Sequence, residues 1–166
     1  MCPEPVRKVV FTLYGSFSKT YHGHGTDRAL LGGILGFHTD DARIRDAFEW
    51  AEKMGVEYEF VIDEETKTDH PNTADMDITG VNGYRLSVRG ESIGGGKIKI
   101  VRINGIDVEF TGEYSTLIVR QIDKPGVVAH ITQCLSKEEV NIAFMRLFRE
   151  DKGATAFTVV ESDEQI

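Results

Sequence analysis

A chain of 166 residues with 40% hydrophobic and 28% charged side chains has the balance of a folding protein, not a disordered one, and room for one or two small domains. Its 19 Lys and Arg stand against 27 Asp and Glu, a net charge of −8, which leaves little to attract a phosphate backbone and argues against a nucleic-acid partner. Only Cys2 and Cys134 are present, too few for a disulfide framework, a four-cysteine zinc site or a self-contained iron–sulfur cluster.

Residues 8–14, KVVFTLY, are β-branched and aromatic and predict a buried strand. It runs into GSFSKTYHGHGTDRALLGGILG, residues 15–36, which reads as a flexible polar loop followed by a helix over 27–35. Thr26 or Asp27 is the expected N-cap and Gly36 the C′ residue. A second helix has Thr39 or Asp40 as its cap, with Asp40-Asp41 reading as a capping pair. Ile44, Ala47, Phe48, Ala51 and Met54 recur at helical spacing, and Gly55 ends it. VEYEFVID, residues 56–63, alternates as a strand with Tyr58, Phe60 and Ile62 on one side. EETKTDHPNTADMD, residues 64–77, is polar around a proline and predicts a surface loop. Strand text resumes in YRLSVRGESIGGGKIKIVRINGIDVEF, broken by Gly94-Gly95-Gly96, with Asn104-Gly105 as a type I′ hairpin signal. The pattern restarts near 111–114: a strand over 117–122, a helix over 126–138, then two strands joined at 151–153. Domains are expected at 1–112 and 113–166.

No run approaches the roughly 20 apolar residues of a membrane span, and MCPEPVRK lacks the apolar core of a secretory signal. No membrane partner is expected, and the expected compartment is the cytoplasm.

Chemistry concentrates in the two polar loops. A neutral imidazole serves as base or hydrogen-bond partner near pH 7, and His22, His24 and His70 lie there, with Gly23 and Gly25 leaving room beside His24. Thr26 and the N–H groups of the helix behind it can hold an anion, as can Lys19 and Arg28. Asn72 and Thr73 can orient a carboxylate or the His70 ring. Further on, Gly126 permits close approach of a ligand at a helix N-terminus, and Asp123 beside it can take an ammonium group. A zinc site from His22, His24, His70 and Asp27 is chemically conceivable, but ligands two residues apart around a glycine have no fixed presentation, so no metal ligand is assigned. His38 and His130 read as structural.

The segment from residue 115 on, with TLIVRQID, DKPGVVAHI and a VNI that opens the second strand, resembles an ACT domain, the ferredoxin-like βαββαβ module that often senses amino acids. The final ESDEQI stands where such a module continues into a second helix and a fourth strand. GSFSKTYHGHGTDRALLGGILGF, HPNTADM and GESIGGGKI, in that order ahead of it, resemble the β chain of the iron–sulfur-dependent L-serine dehydratases, the L-serine ammonia-lyases. The resemblance implies an α+β chain: a mixed α/β domain of the allosteric-substrate-binding type, then a ferredoxin-like βαββ(αβ) ACT domain lacking its last helix and strand. It also implies an α subunit that holds a [4Fe-4S] cluster, conversion of L-serine to pyruvate and ammonia, and a homo- or hetero-oligomer. Within the matched motifs His24 and His70 become the expected catalytic residues, with Lys19, Thr26, Arg28, Asn72, Thr73, Asp123 and Gly126 binding substrate or effector. Family members normally begin with a further segment bearing a GPSSSHT-like motif, so the isolated chain is expected to be inactive. The alternative is a regulatory module, like the intervening domain of some phosphoglycerate dehydrogenases, that senses an amino acid or anion without chemistry.

Overall fold

The structure, a computed structural model, describes residues 4–164; Cys2 lies outside them. The protein is mixed α and β and divides into two compact units, one ending at Gly96 and the next beginning at Lys97. Among the described residues no helix is long and apolar enough to cross a membrane.

The first unit holds β1 (Val6–Tyr14), α1 (Gly15–Thr20), α2 (Thr26–Ile34), a 3₁₀ turn (Ala42–Asp46), α3 (Ala47–Met54), β2 (Glu57–Asp63), β3 (Thr73–Gly80) and β4 (Arg85–Gly94). Its strands lie in the order β2-β1-β3-β4. β1 and β2 are parallel, which requires a crossover, supplied by the three helices. β3 returns antiparallel to β1, and β4 antiparallel to β3. Period-2 alternation puts Val9, Phe11 and Leu13 on one face of β1, where they are buried with Leu31 of α2, Ala47 and Ala51 of α3, and Ala74 and Ile78 of β3. The rings of Phe11 and Phe60 stack across the parallel pair, 4.8 Å between centroids.

Several local expectations are corrected. The stretch 15–20 is a short helix, α1, not a flexible loop. The loop expected over 64–77 ends at 72, because Thr73–Gly80 is a strand paired on both sides. Its apolar positions, Ala74, Met76 and Ile78, were masked by Asp75 and Asp77, whose side chains take the opposite face. The second helix opens as a 3₁₀ turn whose cap is Asp41; its carboxylate accepts the Arg43 N–H at 2.9 Å. α2 begins at Thr26 behind Gly25, whose φ of 68° fills the N-cap position without a side-chain bond. Gly32 is there for closeness: a Cβ on it would lie 3.1 Å from Ile44 Cγ1.

The second unit holds β5 (Lys97–Ile103), β6 (Ile106–Phe110), β7 (Ser115–Ile122), α4 (Val127–Lys137), β8 (Phe144–Arg149) and β9 (Thr155–Ser162). β5 and β6 form the hairpin at Asn104 and Gly105, whose φ values of 49° and 85° are those of a type I′ turn. β7, β9 and β8 form an antiparallel sheet in that order, so β7 and β8 run the same way with β9 inserted between them. β8 begins at Phe144, after the VNI expected to open it. Ile131 and Leu135 of α4 pack on Val160 of β9, flanked by Leu117, Val119 and Met145.

α4 closes with the Val140 N–H on the Leu135 carbonyl at 3.0 Å, and the residue in the left-handed position is Glu139, at φ 58°. Glycine adopts that conformation without a Cβ penalty. Glu139→Gly is therefore expected to stabilise the chain by about 0.5–1 kcal/mol, the left-handed strain relieved exceeding the added unfolded-state entropy. Urea unfolding followed by circular dichroism measures it; an unchanged or lowered midpoint contradicts it.

Candidate functional site

The polar stretches separated by the crossover meet at one end of the first unit's sheet. β1 delivers the chain into Gly15, which has φ +55° and lies so near the second stretch that a Cβ would sit 2.5 Å from the Pro71 carbonyl oxygen. Only glycine allows that approach. The next residue, Ser16, donates its N–H to the same oxygen at 2.6 Å. Around Pro71 the loop is tied to itself: the His70 carbonyl accepts the hydroxyls of Thr68 and Thr73 at 2.8 and 2.6 Å. The Asn72 N–H donates to His70 Nδ1 at 3.1 Å, which leaves Nε2 to carry the proton of the neutral ring. The Asn72 carbonyl in turn accepts the Ser92 N–H from β4 at 2.9 Å.

These contacts bring His70, Asn72 and Thr73 together with the start of α1. Thr73 is fully buried and its hydroxyl is engaged, so it orients the His70 backbone. Lys19 is exposed on α1. His24 is exposed in the turn between α1 and α2, its N–H on the Thr20 carbonyl at 3.2 Å. Thr26 opens α2 with its N–H on the Tyr21 carbonyl at 2.9 Å. The Arg28 guanidinium lies 6.0 Å from the centroid of the Phe48 ring. His22, not among the expected site residues, has a side-chain partner: its Nδ1 is 2.6 Å from Oδ2 of the buried Asp27. Asp123 and Gly126 belong to the second unit. The Asp123 carboxylate accepts from Arg149 and from the Gly153 N–H, and the Arg149 guanidinium holds it below the usual carboxylate range. Gly126, at φ 89°, is the N-cap of α4. Among the described residues no three His, Cys, Asp or Glu side chains gather so as to hold a metal ion.

A second polar cluster escaped the sequence reading. On the sheet face away from the helices, the Tyr14 hydroxyl donates to Asp75 Oδ2 at 2.8 Å. Arg89 grips the same carboxylate with two N–H groups, each at 2.6 Å, and its guanidinium lies 5.2 Å from the Tyr14 ring centroid. Asp75 and Arg89 are register partners on β3 and β4, so the pair follows from strand alignment, which single-sequence pattern does not supply. Burial first, and then Asp75, push the Tyr14 phenol up to about 12, and Asp75 raises Arg89 further still. The cluster lies two residues along β3 from Thr73. An apolar cleft of about 580 Å³ opens elsewhere, lined by Val6, Leu35, Met54, Ile78 and Leu86 among others, and none of the expected site residues lines it.

Because the folded Tyr14 value lies above the ordinary value of 10.0, the stability it contributes is complete below pH 10 and is lost as pH rises toward about 12. Tyrosine ring NMR should show Tyr14 titrating well above its ordinary value of 10.0, and Asp75→Asn should move it back down. Titration of Tyr14 at about that ordinary value would contradict the cluster.

Residues 2–81 match the family model of the serine dehydratase beta chain. Over 163 residues, 98% of this chain and 73% of the relative, the sequence is 40% identical to the probable L-serine dehydratase, beta chain, of Bacillus subtilis (strain 168). It is 42% identical over 159 residues, 96% of this chain and 72% of the relative, to the L-serine dehydratase, beta chain, of Peptoniphilus asaccharolyticus. A more distant likeness, 25% identity over 164 residues, covers 98% of this chain but 31% of the D-3-phosphoglycerate dehydrogenase of Bacillus subtilis (strain 168). The extent and level of the first two matches make this chain a member of the L-serine dehydratase beta-chain family.

Proposed function

We propose that the chain is the β subunit of a two-subunit L-serine dehydratase, assisting conversion of L-serine to pyruvate and ammonia. The observation that carries this reading is the Ser16–Pro71 hydrogen bond of 2.6 Å. It joins the glycine- and histidine-bearing stretch to the HPNT stretch, as a shared site requires.

A [4Fe-4S] cluster needs four thiolates or their equivalent. This chain does not fit one: Cys134 is an exposed cysteine on α4 whose Sγ lies 3.7 Å from His130 Nε2, and among the described residues no third metal-ligating side chain joins them. On this reading the cluster belongs to the α subunit, and a partner of that kind fits a reducing cytoplasm. What this chain supplies is hydrogen bonding and proton transfer. His70, with Nδ1 already accepting from Asn72, presents Nε2–H as a donor to the substrate. His24, on an open turn, is the group to take the α-proton of serine. The N–H groups at the start of α2, with Lys19 and Arg28, favour the serine carboxylate.

We read residues 1–112 as the allosteric-substrate-binding type domain and 113–166 as the ACT domain. Support for the latter is the strand order β7-β9-β8 with α4 as the crossover, the first half of a ferredoxin-like module. The likeness to a phosphoglycerate dehydrogenase over nearly the whole chain favours one alternative, a sensing module without catalysis.

Expression with a cysteine-bearing α partner under anaerobic conditions, followed by a pyruvate assay, tests the main reading. His24→Ala and His70→Ala are each expected to lower kcat by about 10²–10⁴-fold, the usual contribution of a positioned acid or base; normal turnover in both overturns it. Calorimetric titration of the isolated chain with L-serine separates the alternative: tight binding without a partner identifies a sensor, and none is expected of a shared site.

A further inference from the structure

A carboxylate–imidazole pair stands beside His24 and has no part in the reaction scheme above. Asp27 is the second residue of α2, and its side chain is 3% exposed, whereas that of His22 is 77% exposed. Oδ1 of Asp27 accepts the Arg28 N–H at 2.8 Å, and Oδ2 lies 2.6 Å from His22 Nδ1. An ionised carboxylate can only accept, so Nδ1 of His22 carries the proton of that bond.

The ring is also fixed in its plane. It lies flat on Tyr21, 4.7 Å between centroids and 19° between planes. Tyr21 lies over Phe60 at 6.0 Å, and Phe60 stacks on Phe11 at 4.8 Å. Phe11 is fully buried in β1. A column of rings thus runs from the core out to the imidazole.

His24 sits inside the loop that this pair closes, with His22 on one side and Asp27 on the other. The backbone there is held by His24 N–H on Thr20, Gly25 N–H on His22 and Thr26 N–H on Tyr21, at 3.2, 3.4 and 2.9 Å. The middle of these is at the weak end of hydrogen-bond geometry, so the turn depends on its side-chain closure. Removing the imidazole would leave a buried carboxylate with one donor fewer, a cost that loosening of the turn would relieve by admitting water.

We propose that His22 is a positioning residue: its Nδ1–H bond to the buried Asp27 closes the 22–27 turn and fixes where His24 is presented, while His22 itself neither gives nor takes a proton in the reaction. The proposal rests on the reading of His24 as a site residue.

Two substitutions separate positioning from chemistry. His22→Asn places a side-chain N–H close to where Nδ1 stood but cannot titrate; His22→Ala removes both donor and ring. In the enzyme assembled with its α subunit, His22→Ala is expected to lower kcat by about 10- to 100-fold, the scale of a misplaced reacting group. His22→Asn should restore most of that, with the pH profile of kcat/KM keeping its shape. In the isolated chain, amide exchange at His24 and Thr26 should quicken in His22→Ala and slow again in His22→Asn, while the amides of β1 and β3 report that both variants are folded. Equal loss of kcat in both variants with exchange undisturbed would make His22 a proton-transfer group and overturn the proposal; so would full kcat and full protection in His22→Ala. Should His24→Ala prove fully active, the reading of His24 fails by itself, and the exchange measurement alone decides whether the pair closes the turn.

Discussion

The backbone of Gly15 must pass close under the carbonyl of Pro71, and the rest of the site follows from that approach. A side chain at residue 15 would collide with backbone atoms, which cannot move aside as a flexible side chain can. With glycine there, the Ser16 N–H reaches the Pro71 oxygen, and α1 starts against the loop that carries His70. Next to this junction the β1–β3 ladder pairs Leu13 with Ala74 and Thr12 with Asp75, which puts the Asp75 carboxylate within reach of the Tyr14 hydroxyl.

Much of the architecture was legible because it rests on local physics. The β-branched and aromatic run KVVFTLY, the glycines behind α2 and α3, the Asn-Gly hairpin and the strand-helix-strand-strand text after residue 115 each encode their element in adjacent residues. What was not legible depends on partners far along the chain. β3 was hidden because Asp75 and Asp77 give it a polar face; Asp75 is held by Arg89 and Tyr14, Asp77 is exposed, and no nearby residue announces either. α1 was hidden because GSFSKT is a weak helix former, held as a turn of helix by its seat on Pro71.

The site divides in the same way. Motif resemblance pointed to two stretches, and the structure joins them at Ser16 and Pro71. It also shows what several of their polar groups already engage. Thr73 and Asn72 hold the His70 loop, the carboxylate of Asp123 is shared between Arg149 and Gly153, and His22 is tied to Asp27. Such assignments turn on which donors are already taken, and sequence spacing carries no record of that.

The parallel pairing of β1 with β2 has a consequence for how the protein comes into being. A parallel pair cannot zip from a tight turn; the whole helical crossover must be in place before the strands can close, and such distant contacts are slow to form. β3, which carries the other half of the site, emerges from the ribosome later still. A nascent chain with its histidine turn already exposed consequently lacks the backing loop for some time, and in that interval the half-made sheet offers an open strand edge to which another chain can bind.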